Sequence, residues 1–208
     1  MSILGHIGSG TILAKSKGGT TLCSDTQEEF IAKLLEGLLP AQKEFVLDTE
    51  HLILGFCAGF GAGKTRALCA KACYMAAINP DTVAAVFEPT SILLRDVWMR
   101  SFDDYLEEYG IEHTFRVSPQ PEYTIYTPLG ACVILCRALE TYNRIRGQNL
   151  SFCLADEVDT SPQEVAQKAS EMMLARLRGG QKPQLAVAST PEGYRWMYRT
   201  FVELGDNA

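Results

Sequence analysis

The sequence predicts an α/β fold: a parallel central sheet flanked by helices on both faces, with a small antiparallel β insertion. Three observations predict it. Apolar runs at 52–57, 83–87, 152–155 and 185–188 have strand length without alternation, the pattern of strands buried on both faces. Helical patterns separate them, so strand and helix alternate along the chain. Between the second and third runs, 112–137 changes character into short β-rich stretches divided by Pro and Gly, as in an antiparallel meander.

Taken in order, residues 1–23 mix Gly, Ser, Thr and Lys with little periodicity and read as a flexible lead-in to one domain spanning 24–208. A helix begins near Thr26, where Glu29 can close a capping box. Phe30, Ile31, Leu34, Leu35 and Leu38 then form one apolar stripe. Pro40 opens a short amphipathic turn through Phe45 and Val46. The run at 52–57 leads into a glycine-rich loop, and 64–78 continues without a breaker until Asn79 and Pro80. Strand 83–87 stops at Pro89. Helix 92–109 carries Leu94, Val97, Trp98, Phe102, Tyr105, Leu106 and Tyr109 on one side, and Gly110 ends it. The meander comprises 114–117, 123–126 and 131–136. Strand 152–155, helix 162–177, strand 185–188 and a helix from about Tyr194 complete the chain.

Composition bounds the function. At 208 residues, 22.9 kDa and 47% hydrophobic, the chain can bury one substantial core. With 21% charged and 9% aromatic residues, disorder is excluded as the dominant state. No apolar stretch approaches the roughly 18 residues of a membrane-spanning helix. A net charge of −6 and a pI near 5.1 argue against an all-over basic nucleic-acid coat, but allow a local basic face. Seven Cys without a CxxC pair, and an amino end without a signal-peptide layout, point to a reducing intracellular compartment. Cys69, Cys73, Cys132 and Cys136 read as buried structural thiols rather than metal ligands, since His6, His51 and His113 lie far from them in sequence.

The strongest chemical signal is Ala58-Gly59-Phe60-Gly61-Ala62-Gly63-Lys64-Thr65, which follows a strand and opens a helix. It fits the phosphate-binding loop GxxxxGK[ST], with Ala58 in place of the first Gly. Glycines let backbone N–H groups point at phosphate oxygens, and the helix N-terminus adds favourable dipole charge. Lys64 is placed to reach the β- and γ-phosphates and Thr65 to bind Mg²⁺. The second signal is the apolar strand that ends in Asp156-Glu157. It sets Asp156 at the carboxyl edge of the sheet to hold Mg²⁺ through water, and Glu157 to polarise the attacking water. The long interval between Lys64 and Asp156 leaves room for an inserted strand, as in the RecA-like branch of P-loop ATPases, and no NKxD base-reading motif is present.

Here the sequence resembles the large terminase subunit of tailed bacteriophages, the ATPase that packages viral DNA. Leu39-Pro40-Ala41-Gln42-Lys43-Glu44-Phe45 looks like that family's adenine-binding segment, with Gln42 in the reading role. Val86-Phe87-Glu88-Pro89-Thr90 with Leu94-Arg95-Asp96 resembles the segment after the second strand. Arg144-Ile145-Arg146-Gly147 sits where the family has an Arg-Gly pair, and Arg146 matches a proposed arginine finger given to a neighbouring subunit. Ala188-Ser189-Thr190-Pro191 with Gly193 is similar to the coupling motif that senses the γ-phosphate.

The resemblance implies Mg²⁺-dependent ATP hydrolysis that moves double-stranded DNA. The implied partners are the portal protein and procapsid, the small terminase subunit and further copies of the chain in a ring, in the host cell cytoplasm. Two departures stand out. Many members carry an Arg inside the phosphate loop where this chain has Phe60, and the family's nuclease domain has no counterpart in this length, so no DNA cleavage is expected. Arg176, Arg178, Lys182, Arg195 and Arg199 are basic clusters available for DNA or simply solvated. A helicase fragment and a binding-only assembly module are the rival readings. The first needs a second RecA-like domain, and the second has no need of Glu157.

Overall fold

The computed structural model describes residues 12–13 and 25–203. The elements in chain order begin with strand β1 (Ile12–Leu13) and helices α1 (Gln27–Leu34) and α2 (Pro40–Leu47). Strand β2 (Ile53–Cys57), helix α3 (Lys64–Ile78) and strand β3 (Thr82–Glu88) follow. Helix α4 (Ser91–Leu93) runs through a π turn at Leu94–Met99 into α5 (Arg100–Glu108). Next come β4 (His113–Arg116), β5 (Glu122–Thr127), β6 (Gly130–Ala138), a 3₁₀ segment Leu139–Ile145, β7 (Phe152–Asp156) and a 3₁₀ turn Val158–Thr160. The last are α6 (Gln163–Arg176), β8 (Gln184–Ser189), α7 (Trp196–Tyr198) and a π turn Arg199–Glu203.

All strands join one eight-stranded sheet in the order β1-β4-β5-β6-β3-β7-β8-β2. From β6 to β2 every pairing is parallel; from β1 to β6 every pairing is antiparallel. The meander expected at 112–137 is present as β4, β5 and β6, and it is continuous with the parallel sheet. Its last strand, β6, pairs antiparallel with β5 and parallel with β3, and so belongs to both halves. Of the expected lead-in, Ile12–Leu13 pair with β4, and the remainder lies outside the described residues.

The sheet separates two cores. On one face Ala84, Val86, Phe152, Leu154, Ala186 and Ala188 pack with α1, α2, α3 and α5. On the other, Ala85, Phe87, Cys153, Ala155, Leu185 and Val187 pack with α6, α7 and the 3₁₀ segment. Thr26 caps α1, with the reciprocal bonds Glu29 N to Thr26 Oγ1 (3.2 Å) and Thr26 N to Glu29 Oε2 (2.8 Å). Cys69, Cys73, Cys132 and Cys136 are buried free thiols. One expectation fails on the helix predicted over 92–109. The π turn lets Leu94 and Trp98 turn inward, while Val97, assigned to the buried stripe, is 41% exposed. The wider turn shifts residue phase relative to a 3.6-residue period.

Candidate nucleotide site

Strand β2 ends at Cys57, and the chain turns through the glycine loop into α3. Gly61 and Gly63 both sit at φ +74°, in the left-handed region that glycine enters without strain, and Gly63 is the N-cap of α3. The loop is built against Gln42. This side chain is 5% exposed, so it is no surface helix residue. Its Nε2 donates to Ala62 O (3.1 Å) and Gly63 O (3.2 Å), and its Oε1 accepts from Leu39 N (2.8 Å). A Cβ on Gly63 would fall 2.4 Å from Gln42 Nε2, so only glycine admits this contact. At Gly59 and Gly61 an added Cβ would meet nothing within 4 Å. That face of the loop is open, and the unpaired amides of the first turn of α3 lie beside it.

Lys64 is 6% exposed, and its Nζ donates to Gly59 O (3.1 Å) and lies 3.3 Å from Glu157 Oε1. Phe60 is 89% exposed, with its ring centroid 5.8 Å from Lys64 Nζ. Thr65 Oγ1 donates to Asp156 Oδ2 at 2.7 Å, joining the helix start to the end of β7. Asp156 is fully buried. Burial pushes its carboxyl up to about 6, against the Thr65 hydrogen bond, which pulls it down.

Glu157 occupies a left-handed conformation (φ +47°), which turns its side chain away from the line of the strand. Its backbone N–H donates to Ala188 O (2.8 Å). Its carboxylate accepts from Thr190 N (2.9 Å) and Thr190 Oγ1 (3.1 Å). Ser189, fully buried, accepts from Asp159 N at 3.1 Å and donates to Thr190 O at 3.3 Å. The segment after β8 thus grips the acid directly.

The structure brings Gln42, Gly59, Phe60, Gly61, Ala62, Gly63, Lys64, Thr65, Asp156, Glu157, Ser189 and Thr190 into one assembly at the carboxyl ends of β2, β8 and β7. It does not bring Arg146 there. Arg146 is exposed beyond the 3₁₀ segment, where Nη2 donates to Asn143 Oδ1 (3.1 Å) and its carbonyl accepts from Arg176 Nη1 (2.7 Å). The basic clusters are partly engaged: Lys182 pairs with Glu50 (3.2 Å) and Arg195 with Glu192 (2.7 Å).

Two residues received no individual role from the sequence. Asp159, 1% exposed, accepts from Met197 N (3.0 Å) and Glu192 N (3.3 Å) and so ties the β7 turn to the segment after β8. In sequence it is an ordinary turn acid. Glu88, the last residue of β3, is 2% exposed, and its Oε1 is buried without a hydrogen-bond partner. Burial, then Asp156 and Glu157, push its carboxyl up to about 9. Its sequence signal was an acid closing an apolar strand.

Sheet, loop and acidic strand end together define a RecA-like α/β fold whose glycine loop fits the phosphate-binding pattern. A family model described as "Terminase large subunit, T4likevirus-type, N-terminal" matches residues 56–208. The chain belongs to that family. Among solved structures it is similar to the large terminase of a thermophilic bacteriophage, with TM-score 0.63 and 16% identity over 87% of this chain and 42% of that one. It is also similar to the large terminase ATPase domain of Thermus phage P74-26, with TM-score 0.58 and 18% identity over 84% and 73%. The bacteriophage HK97 large terminase gives 0.62 and 13% over 87% and 41%. The chain thus spans less than half of the first and third of these proteins. No curated protein sequence matches it.

Proposed function

We propose that this chain is a Mg²⁺-dependent ATPase domain whose turnover drives double-stranded DNA into a viral procapsid. The observation that carries the reading is the connected set Thr65–Asp156, Lys64–Glu157 and Glu157–Thr190. It links a phosphate-loop lysine and hydroxyl to two carboxylates and to the segment after β8. The first of the similar large terminases, from the thermophilic bacteriophage, has been solved in complex with ADP and with ATP-gamma-S, which supports ATP as the nucleotide.

The residues fit both groups. The open face at Gly59 and Gly61 admits phosphate oxygens, and Lys64 supplies the cation beside them. Thr65 and Asp156 offer the hard oxygen donors that Mg²⁺ prefers. Bound there, the ion would neutralise charge on the phosphates. Gln42 holds the loop in shape and, at the adenine end, would read the base. Glu157 would orient the attacking water and take its proton, and Thr190 fixes the carboxylate for that task. Because Phe60 replaces an arginine, charge developing in the transition state would lean on Arg146 of a neighbouring subunit, whose exposure suits a role in trans. Ser189 and Thr190 would carry the nucleotide state outward through Asp159. A ring of copies, the portal protein, the procapsid and the small terminase subunit complete the proposal, in the host cell cytoplasm.

The test is steady-state ATP hydrolysis with Mg²⁺ across a range of protein concentrations, with and without double-stranded DNA. Turnover per subunit that climbs with concentration supports a site completed by a neighbour. Tight ATP binding without turnover at any concentration would overturn the reading in favour of a binding-only module.

A further inference from the structure

Glu88 is a cost that nothing described so far repays. A carboxyl buried to 2% exposure with an unpartnered oxygen loses hydration and gains no hydrogen bond in return. Its position follows from register. Strands β3 and β7 are parallel with Ala85 beside Cys153, Val86 beside Leu154 and Phe87 beside Ala155. One step further sets Glu88 beside Asp156. Side chains alternate across a sheet, and on both strands the even-numbered residues (Ala84, Val86, Phe152, Leu154) face the core that contains α3. Glu88 and Asp156 therefore point to the same face, the one from which Thr65 reaches Asp156.

We propose that Glu88 is a second carboxylate of the magnesium site: a positioning residue that accepts hydrogen bonds from the waters of the ion held by Thr65 and Asp156. The inference rests on the reading of that site given above. Among the described residues no three His, Cys, Asp or Glu side chains form a group that could hold an ion by themselves, and the role assigned to Glu88 is one exerted through water. Magnesium suits this, because it retains several waters when bound by one or two protein oxygens. Such outer partners orient the inner ligands and raise affinity for the metal. A hydrogen-bonded water shell also supplies the acceptor role that the buried Oε1 otherwise lacks.

The experiment titrates Mn²⁺ into the full chain with saturating ADP, reading free Mn²⁺ by electron paramagnetic resonance, in wild type, Glu88→Gln, Glu88→Ala and Asp156→Asn. ADP affinity in EDTA is measured alongside. The expected result is Mn²⁺ affinity lower by roughly tenfold or more in both Glu88 variants, with metal-free ADP affinity unchanged. Melting curves establish that each variant is folded; Glu88→Gln keeps the shape of the side chain should Glu88→Ala fail. Mn²⁺ affinity within about twofold of wild type in Glu88→Gln, while Asp156→Asn loses it, overturns the Glu88 proposal alone. If wild type itself shows no ADP-dependent Mn²⁺ binding, the site reading falls and the proposal with it.

Discussion

On one half of the sheet β5 buries alternate residues, Tyr123, Ile125 and Thr127; on the other, β7 and β8 bury every residue along their length. The antiparallel half has one covered face, so its side chains report their direction through alternation. The parallel half lies between two helical layers, and an apolar run there says nothing about which residue faces which layer. Chemistry sits where that silence ends, at the carboxyl ends where Glu88, Asp156 and Ser189 interrupt the apolar strands. A half-covered sheet spends its polar residues along the strand, whereas a fully covered one can place them only at its rim.

The sharpest way to test that contrast is at the rim. Glu157→Gln is expected to lower ATP turnover by at least about 100-fold while leaving ATP affinity within about threefold, measured by steady-state kinetics and equilibrium binding. Unchanged turnover would remove Glu157 as the base. Arg146→Ala should lose turnover by a smaller factor and recover it when mixed with Glu157→Gln, because each variant then completes the other's site. Absence of recovery at every mixing ratio would rule out a role in trans.

Within the strands the contrast becomes one of stability. Phe152, fully buried on β7, should cost about 3–5 kcal/mol on replacement by Ala in urea unfolding. Thr124, on the half-exposed face of β5, should cost within about 0.5 kcal/mol on the same change. Similar costs at the two positions would mean that the antiparallel half is covered on both faces too.

The smallest effect is a pH slope. Folded Glu88 and Asp156 have carboxyls at about 9 and about 6, above their ordinary 4.5 and 3.8. Between those values the folded chain binds more protons than the unfolded one, so the metal-free fold loses stability as pH rises from about 4 to about 9. Melting temperatures recorded in EDTA should fall over that range, and Glu88→Gln should flatten the upper part of the slope.

Local signals in the sequence went far. The capping box at Thr26 and Glu29, the glycine loop before Lys64 and the acidic end of β7 each involve residues close in the chain, so their chemistry can be read there. Features that depend on register could not be. That Glu88 shares a face with Asp156 requires the β3–β7 pairing, and that Asp159 receives Met197 and Glu192 requires the return of the chain after β8. Lys71 lies in a helix whose sequence does not mark which of its polar residues are covered. It is fully buried, and its ammonium donates to Val46 O and Asp48 O, because α2 and the turn after it close over α3. Likewise, β6 could not be seen to join the parallel half, since a strand's sequence does not state its neighbours.

The position of β2 has a mechanical meaning. Among the described residues this strand pairs with β8 alone, and the last pair of that ladder, Cys57 with Ser189, lies at the root of the phosphate loop, where Ala58 N donates to Ser189 O. The loop is therefore held at its root by the strand that continues into Thr190, and at its far end by Gln42, which bonds Ala62 O and Gly63 O. A strand fixed on both flanks resists sliding, whereas one fixed on a single flank follows its neighbour.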